Sequence, residues 1–270
     1  MLASQDIDPL YPVLRRLYDL YGMPAEERLW FSALYVAFYN LPSALAAWIW
    51  IAGRDLDGCA DHLAKLPTGI ERRGMRGGAV VPYLWRMLEH EPLGAWLTRG
   101  WKIDRPRGNY EVFWERWQTV PGNGRWSAFK MGEILRRVHD FDLLAPDMRM
   151  EFCSGPKEGL QWLYDTKSNE VSLLNTYGQR LRMELASRGV HLDWEHLETI
   201  LCNFNSARKG KYYVGHDIDE LQEQISSHKY LFDGEKQMLW KARSDVLSHE
   251  YLGECQGWHG VQKHRMKEWA

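Results

Sequence analysis

Cysteine is scarce in this chain and never clustered. The four cysteines, at positions 59, 153, 202 and 255, form no Cys-x-x-Cys pair. That spacing excludes the common zinc and iron–sulfur ligand patterns and any disulfide scaffold. A positive charge excess is missing as well, since 34 Lys and Arg face 36 Asp and Glu for a formal net charge of −2. No global field draws the chain to a polyanion, so any nucleic-acid surface must be local. Long apolar runs are also lacking. The most apolar stretch, residues 41–52, is too short to span a bilayer, and no signal-peptide pattern is seen. An intracellular soluble protein without a membrane partner is therefore expected. Alternating strand patterns, repeats and low-complexity tracts are absent too, which leaves an all-α fold.

Tryptophan and tyrosine are abundant, 14 and 13 in 270 residues. That length suits one large domain or two small ones with a real core. Residues 9–21 alternate Leu10, Val13, Leu14 and Leu17 with Arg15, Arg16 and Asp19, an amphipathic helix ended by Gly22 and Pro24. A second helix runs from Ala25 to Phe38, and a turn at Asn40-Leu41-Pro42-Ser43 leads into a third, with Ser43 expected as its cap. Further helices are expected over 80–88, 93–101, 111–118, 160–164, 170–188 and 194–204, the last capped by Asp193. One or two peripheral helices follow from Glu220, packing Trp240, Leu247 and Tyr251.

Residues 120–150 organise the chain. Pro121-Gly122-Asn123-Gly124 is a tight hairpin signal that opens directly into a helical pattern fading near Asp140. Its glycines admit close backbone approach, and the first amides of the following helix, at Gly124, Arg125 and Trp126, are available to an anion. In that helix Phe129, Ile134, Leu135 and Val138 make the apolar face, and Lys130, Arg136 and Arg137 are expected to stay wet. Pro146-Asp147 follows.

Other stretches carry chemistry of their own. Arg72, Arg73 and Arg76 sit among four glycines in residues 69–78, a cationic loop whose guanidinium forks match phosphoryl oxygens. From 96 to 126, arginines and lysines interleave with tryptophans; the cations suit a DNA backbone, while helical spacing assigns Phe113 and Trp117 to the core. Residues 202–219 join Lys209, Lys211, Tyr212 and Tyr213 to Gly215, His216, Asp217 and Asp219, a polar and aromatic segment suited to closing over a substrate. His216 with Asp217 and Asp219 is weak evidence for a metal, and no metal is expected; a helix cap at Asp217 or Asp219 is the plainer reading.

Hairpin, helix and Asp147 together resemble the helix-hairpin-helix DNA glycosylase superfamily. There a Pro-Gly-x-Gly hairpin grips a DNA phosphate and an Asp stands at the mouth of the flipped-base pocket. Pro121, Gly122 and Gly124 match the hairpin, Trp126 to Ala128 the start of its second helix, and Asp147 the Asp. The resemblance implies that Gly122, Gly124, Arg125 and Trp126 hold a DNA phosphate, directly or through a monovalent cation, with no other cofactor. It also implies that Asn40 either lines the base pocket or terminates a helix. The cysteine cluster of the iron–sulfur branch is missing, and no lysine is placed for attack at C1′. Met148 departs from the small polar residue or His that often follows the Asp.

The tryptophan-rich body, the helical region after the hairpin and the stretch RKGKYYVGHDID are more similar to a second branch. This is the phage alpha-glutamyl/putrescinyl thymine pyrophosphorylase, or amino acid:DNA transferase, family. That resemblance implies residues 1–155 as a glycosylase-like region and residues 156–270 as a helical region completing the pocket. The implied substrate is double-stranded DNA carrying 5-hydroxymethyluracil pyrophosphorylated by a separate kinase, in the cytoplasm of an infected bacterium. The amine of an amino acid or polyamine then displaces pyrophosphate. Asp147 would hold or deprotonate the amine, Arg149 would take a donor carboxylate, and Arg72, Arg73, Arg76, Lys209, Lys211 and Tyr212 would face substrate and leaving group. A monofunctional glycosylase and a non-enzymatic DNA-binding protein remain the alternatives.

Overall fold

The computed structural model describes residues 8–52, 56–69, 75–88, 91–213 and 215–247, and the described residues form an all-α molecule. Helix α1 (Leu10–Leu20) buries Leu10, Val13, Leu14 and Leu17 as its spacing predicts. Helix α2 (Ala25–Phe38) has no polar stripe after its first turn, and every residue from Leu29 to Phe38 is buried. A helix apolar all round must be surrounded. It is: α3 (Leu41–Ile51), α5 (Val81–Leu88), α6 (Leu93–Thr98) and α8 (Arg125–Arg137) all lie against it. The short α4 (Ala60–Leu63) packs beside the turn at 77–79.

Asn40, not Ser43, caps α3. Its Oδ1 accepts from the Ser43 amide at 3.0 Å, with Pro42 in the first turn where a missing N–H costs nothing. Helix α7 (Pro106–Trp117) begins earlier than the expected 111–118, again because proline opens it.

After α8 the chain builds a second, smaller core. Met148, Met150 and Cys153 join Leu160, Leu174, Leu192, Leu197 and Leu201 from α9 (Gly155–Leu163), α10 (Val171–Ala186), α11 (Trp194–Arg208) and the link before α11. Asp193 caps α11 as expected, its Oδ1 accepting from the His196 amide at 2.9 Å. The chain then returns to the first core. Helices α12 (His216–Ser227) and α13 (Asp233–Val246) contribute Ile218, Leu221, Ile225, Leu239 and Ala242 to it, packing on α3 and α1 respectively. They are thus not peripheral, because the apolar stripe of α13 covers α1 and that of α12 covers α3. The second core draws on residues 148–201, whereas residues 216–247 belong to the first. Tyr251 lies outside the described residues. No helix among them is long and apolar enough to cross a membrane.

Candidate active site at the hairpin

Helices α7 and α8 are joined by a turn held from inside. The Asn123 amide donates to Val120 O at 3.0 Å; Trp117 Nε1 donates to Ser127 Oγ at 2.9 Å, and Ser127 Oγ to Asn123 Oδ1 at 3.0 Å. All three side chains are buried, so the relay fixes the hairpin to both helices. Gly122 sits at φ +90°, and a Cβ there would stand 2.9 Å from Met75 Sδ and 3.0 Å from Val80 Cγ2. Only glycine serves on both counts. Gly124 needs no such freedom, with φ at −95°; it is the N-cap of α8 and supplies no side chain to cover the first amides. The hairpin therefore abuts residues 75–80, and exposed Arg76 nearby donates to Gly69 O at 3.0 Å. Arg72 and Arg73 lie outside the described residues.

Arg125 turns inward. Its guanidinium donates to Arg149 O at 2.9 Å, Met148 O at 2.6 Å and Glu198 Oε1 at 2.9 Å, over the face of Phe129. It can offer an anion its backbone amide, while its side chain staples the Asp147–Arg149 turn to the start of α8. Asp147, about one-third exposed, accepts from the Arg149 amide at 2.8 Å. Arg149 adopts φ +51°, pairs with Glu111, and lies 4.9 Å over the Trp114 ring. Met148 between them is fully buried in the second core, against Gly178. That packing explains a large apolar residue after the Asp: it roots the turn.

Lys130 departs from the solvated position its sequence pattern predicts. It is half-buried, not wet, with 11% of its side chain exposed, because Trp126, Lys130, Glu133 and Arg137 follow at i, i+4, i+7 and i+11 and so share one stripe that faces other helices. Lys130 Nζ lies 2.8 Å from Glu133 Oε2 and 4.0 Å from Asp8 Oδ2. Glu133, fully buried, also accepts from Tyr11 OH at 2.6 Å and Thr199 Oγ1 at 3.1 Å. Burial raises the Asp8 carboxyl to about 7, opposed by Lys130 and reinforced by Asp217. Burial would lower Lys130, yet Glu133 and Asp8 outweigh it and hold the group as an ammonium. A lysine so held is no nucleophile. Arg136 and Arg137 are likewise half-buried, both pairing with Asp193, and Arg136 also with Glu195 at 2.6 Å. At the top of the stripe, Trp126 meets Tyr39 edge-on at 4.7 Å, and Tyr39 ends α2 at φ +47°.

The remaining candidates divide by position. Asn40 follows Tyr39 and so lies near the start of α8, with its Oδ1 given to the α3 cap. Lys209, the C-cap of α11, pairs with Glu158 about 16 Å along that helix from Glu198, away from the hairpin, and Lys211 is exposed in the turn after it. Tyr212 donates to Asp217 Oδ2 at 2.8 Å and accepts from Asn203 at 3.2 Å. Asp219 is buried and accepts from Tyr213 at 2.9 Å, so the trio that gathers on α12 is His216, Asp217 and Glu220, their ligand atoms within 4.8 Å of one another. Asp217 and Asp219 sit in the first turn of α12, while its N-cap is Gly215. The Asp8, Tyr11, Lys130 and Glu133 cluster was missed in the sequence; the spacing of Lys130 and Glu133 below Trp126 was its one local signal.

No curated protein matches the chain. A family model described as Amino acid:DNA transferase matches residues 87–213. The matched stretch contains the hairpin, Lys130, Glu133, Asp147, Arg149 and Tyr212, and stops short of Asp8, Asn40 and Arg76. Over residues 87–213 this chain is therefore similar to the amino acid:DNA transferase family, and the match supports a transferase activity.

Proposed function

We propose that the protein acts on thymine-derived bases in double-stranded DNA, displacing pyrophosphate from 5-(pyrophosphoryloxymethyl)uracil with the amine of an amino acid or polyamine. The observation that carries the reading is the Arg125 staple, which keeps Asp147 beside the hairpin that would hold the DNA backbone. In the step, the amine nitrogen bonds to the 5-methylene carbon as the carbon–oxygen bond to pyrophosphate breaks, and one proton leaves the nitrogen. Part-exposed Asp147 is the acceptor or anchor for that ammonium. Arg149 is the cation for a donor carboxylate, which would exchange with Glu111 on the same guanidinium. Arg76, with Arg72 and Arg73, neutralises the leaving group. The hairpin amides hold a neighbouring phosphate while the base leaves the stack.

The test is pyrophosphate release from duplex DNA carrying the pyrophosphorylated base, with and without a mixture of amino acids and polyamines. Release that requires both the modified base and an amine is expected. Free base appearing without any amine would instead make the protein a glycosylase.

A further inference from the structure

We propose that Trp162, with Phe204 and Arg208 behind it, is a second DNA contact, a platform on which a nucleobase flanking the modified one stacks. The proposal rests on the DNA-transferase reading and extends it to the end of α11 remote from the hairpin. Helix α9 comes very close to α11 because Gly155 and Gly159 face it: a Cβ on either would stand 2.7 Å from Cys202 Sγ or 2.8 Å from Leu201 O. The pair is further tied by Asn205 to Glu158 at 3.0 Å. Trp162 lies one turn beyond Gly159, over the last turns of α11, with its ring centroid 5.4 Å from Phe204 and from the Arg208 guanidinium. The indole is nevertheless 54% exposed, and Leu163 beside it 42%.

The helix dipole favours cations at the ends of α9 and α11, but it gives no reason to expose an indole on a rigid helix pair. Charge complementarity selects the occupant. Within residues 157–167 and 204–211, five cations (Lys157, Lys167, Arg208, Lys209, Lys211) stand against Glu158 and Asp165, in a chain whose net charge is −2. Glu158 is already engaged by Lys209. Aromatic faces among cations are how proteins hold unstacked or single-stranded bases. Arg208 is ten residues along α11 from Glu198, which Arg125 binds at the hairpin. That is about 15 Å along the helix, a length that roughly four nucleotide steps span.

The experiment is fluorescence anisotropy with a short labelled duplex and the full chain, joined to hydroxyl-radical footprinting. Trp162→Ala should weaken binding by about tenfold, the loss of one stacked base, and shorten the footprint on one side. Trp162→Phe should recover most of the affinity. Wild-type affinity in a Trp162→Ala protein with unchanged thermal unfolding overturns the proposal. So does unchanged DNA affinity with loss of a self-association that the wild type shows, which would give the patch to a second copy. Gly122→Val separates the two readings. If it abolishes binding while Trp162→Ala does not, the hairpin reading stands and the platform falls; if the wild type binds no duplex at all, both fall.

Discussion

Replacing Lys130 with methionine would keep the length of the side chain and remove its charge from a site where two carboxylates depend on it. Nζ stands 2.8 Å from Glu133 Oε2 and 4.0 Å from Asp8 Oδ2, and both acids are buried. Removing one member of a buried ion pair costs about 3–5 kcal/mol, mostly through the charge left behind. Tyr11 and Thr199 still donate to Glu133, so its carboxylate is not wholly abandoned and the lower part of that range applies at acid pH. Asp8, raised by burial to about 7, is neutral at pH 5 and charged at pH 8, so the loss should be larger at pH 8 than at pH 5. Urea unfolding at both values measures it. Adding Glu133→Gln to the same chain removes the stranded charge and should restore at least about 1 kcal/mol of the loss, a coupling expected only of groups in contact. A Lys130→Met protein within about 1 kcal/mol of the wild type at pH 8 would refute the buried-network account.

Asp8→Asn should flatten the pH dependence of stability. With the folded carboxyl raised from 3.8 to about 7, stability is fully present below about pH 4 and falls as pH rises to about 7, because only the unfolded chain ionises in that window. The full span is on the order of 4 kcal/mol, and equal slopes in wild type and variant would contradict it. Asp147→Asn should lower transfer by about 100-fold or more while leaving DNA affinity within a few-fold, since a general base contributes at least that much; full turnover by the variant removes Asp147 from the mechanism. Gly122→Ala places a Cβ against Met75 and Val80 at φ +90° and should cost about 1–3 kcal/mol, read by thermal unfolding, together with weakened duplex binding.

The hairpin unit was legible in the sequence because its signals are local: two glycines, a following helix and a helical period all fall within one short stretch. Asp193 as a cap and α1 as an amphipathic helix were legible for the same reason. What escaped depends on distant partners. Arg125 turns inward because Glu198, 73 residues on, meets it, and Lys130 is largely shielded from solvent because Asp8 and Tyr11 lie against α8; Tyr11 stands 122 residues before Glu133. A basic residue on a helix is ordinarily solvated, and nothing nearby in the chain announces the acids that overturn that rule. Asn40 was ambiguous between lining a pocket and terminating a helix; its oxygen instead caps the start of α3, in the place expected of Ser43. The α12 trio shifted from Asp219 to Glu220 because helical spacing, not adjacency, decides which side chains converge.

The central claim is amine transfer to a thymine-derived base, and nucleoside mass spectrometry tests it most directly. DNA carrying 5-(pyrophosphoryloxymethyl)uracil would be incubated with the protein and a mixture of amino acids and polyamines, digested to nucleosides and weighed. A nucleoside that has gained one amine and lost the pyrophosphate is predicted, and its mass names the donor. An unchanged nucleoside profile, or free base with abasic sites, would contradict the account.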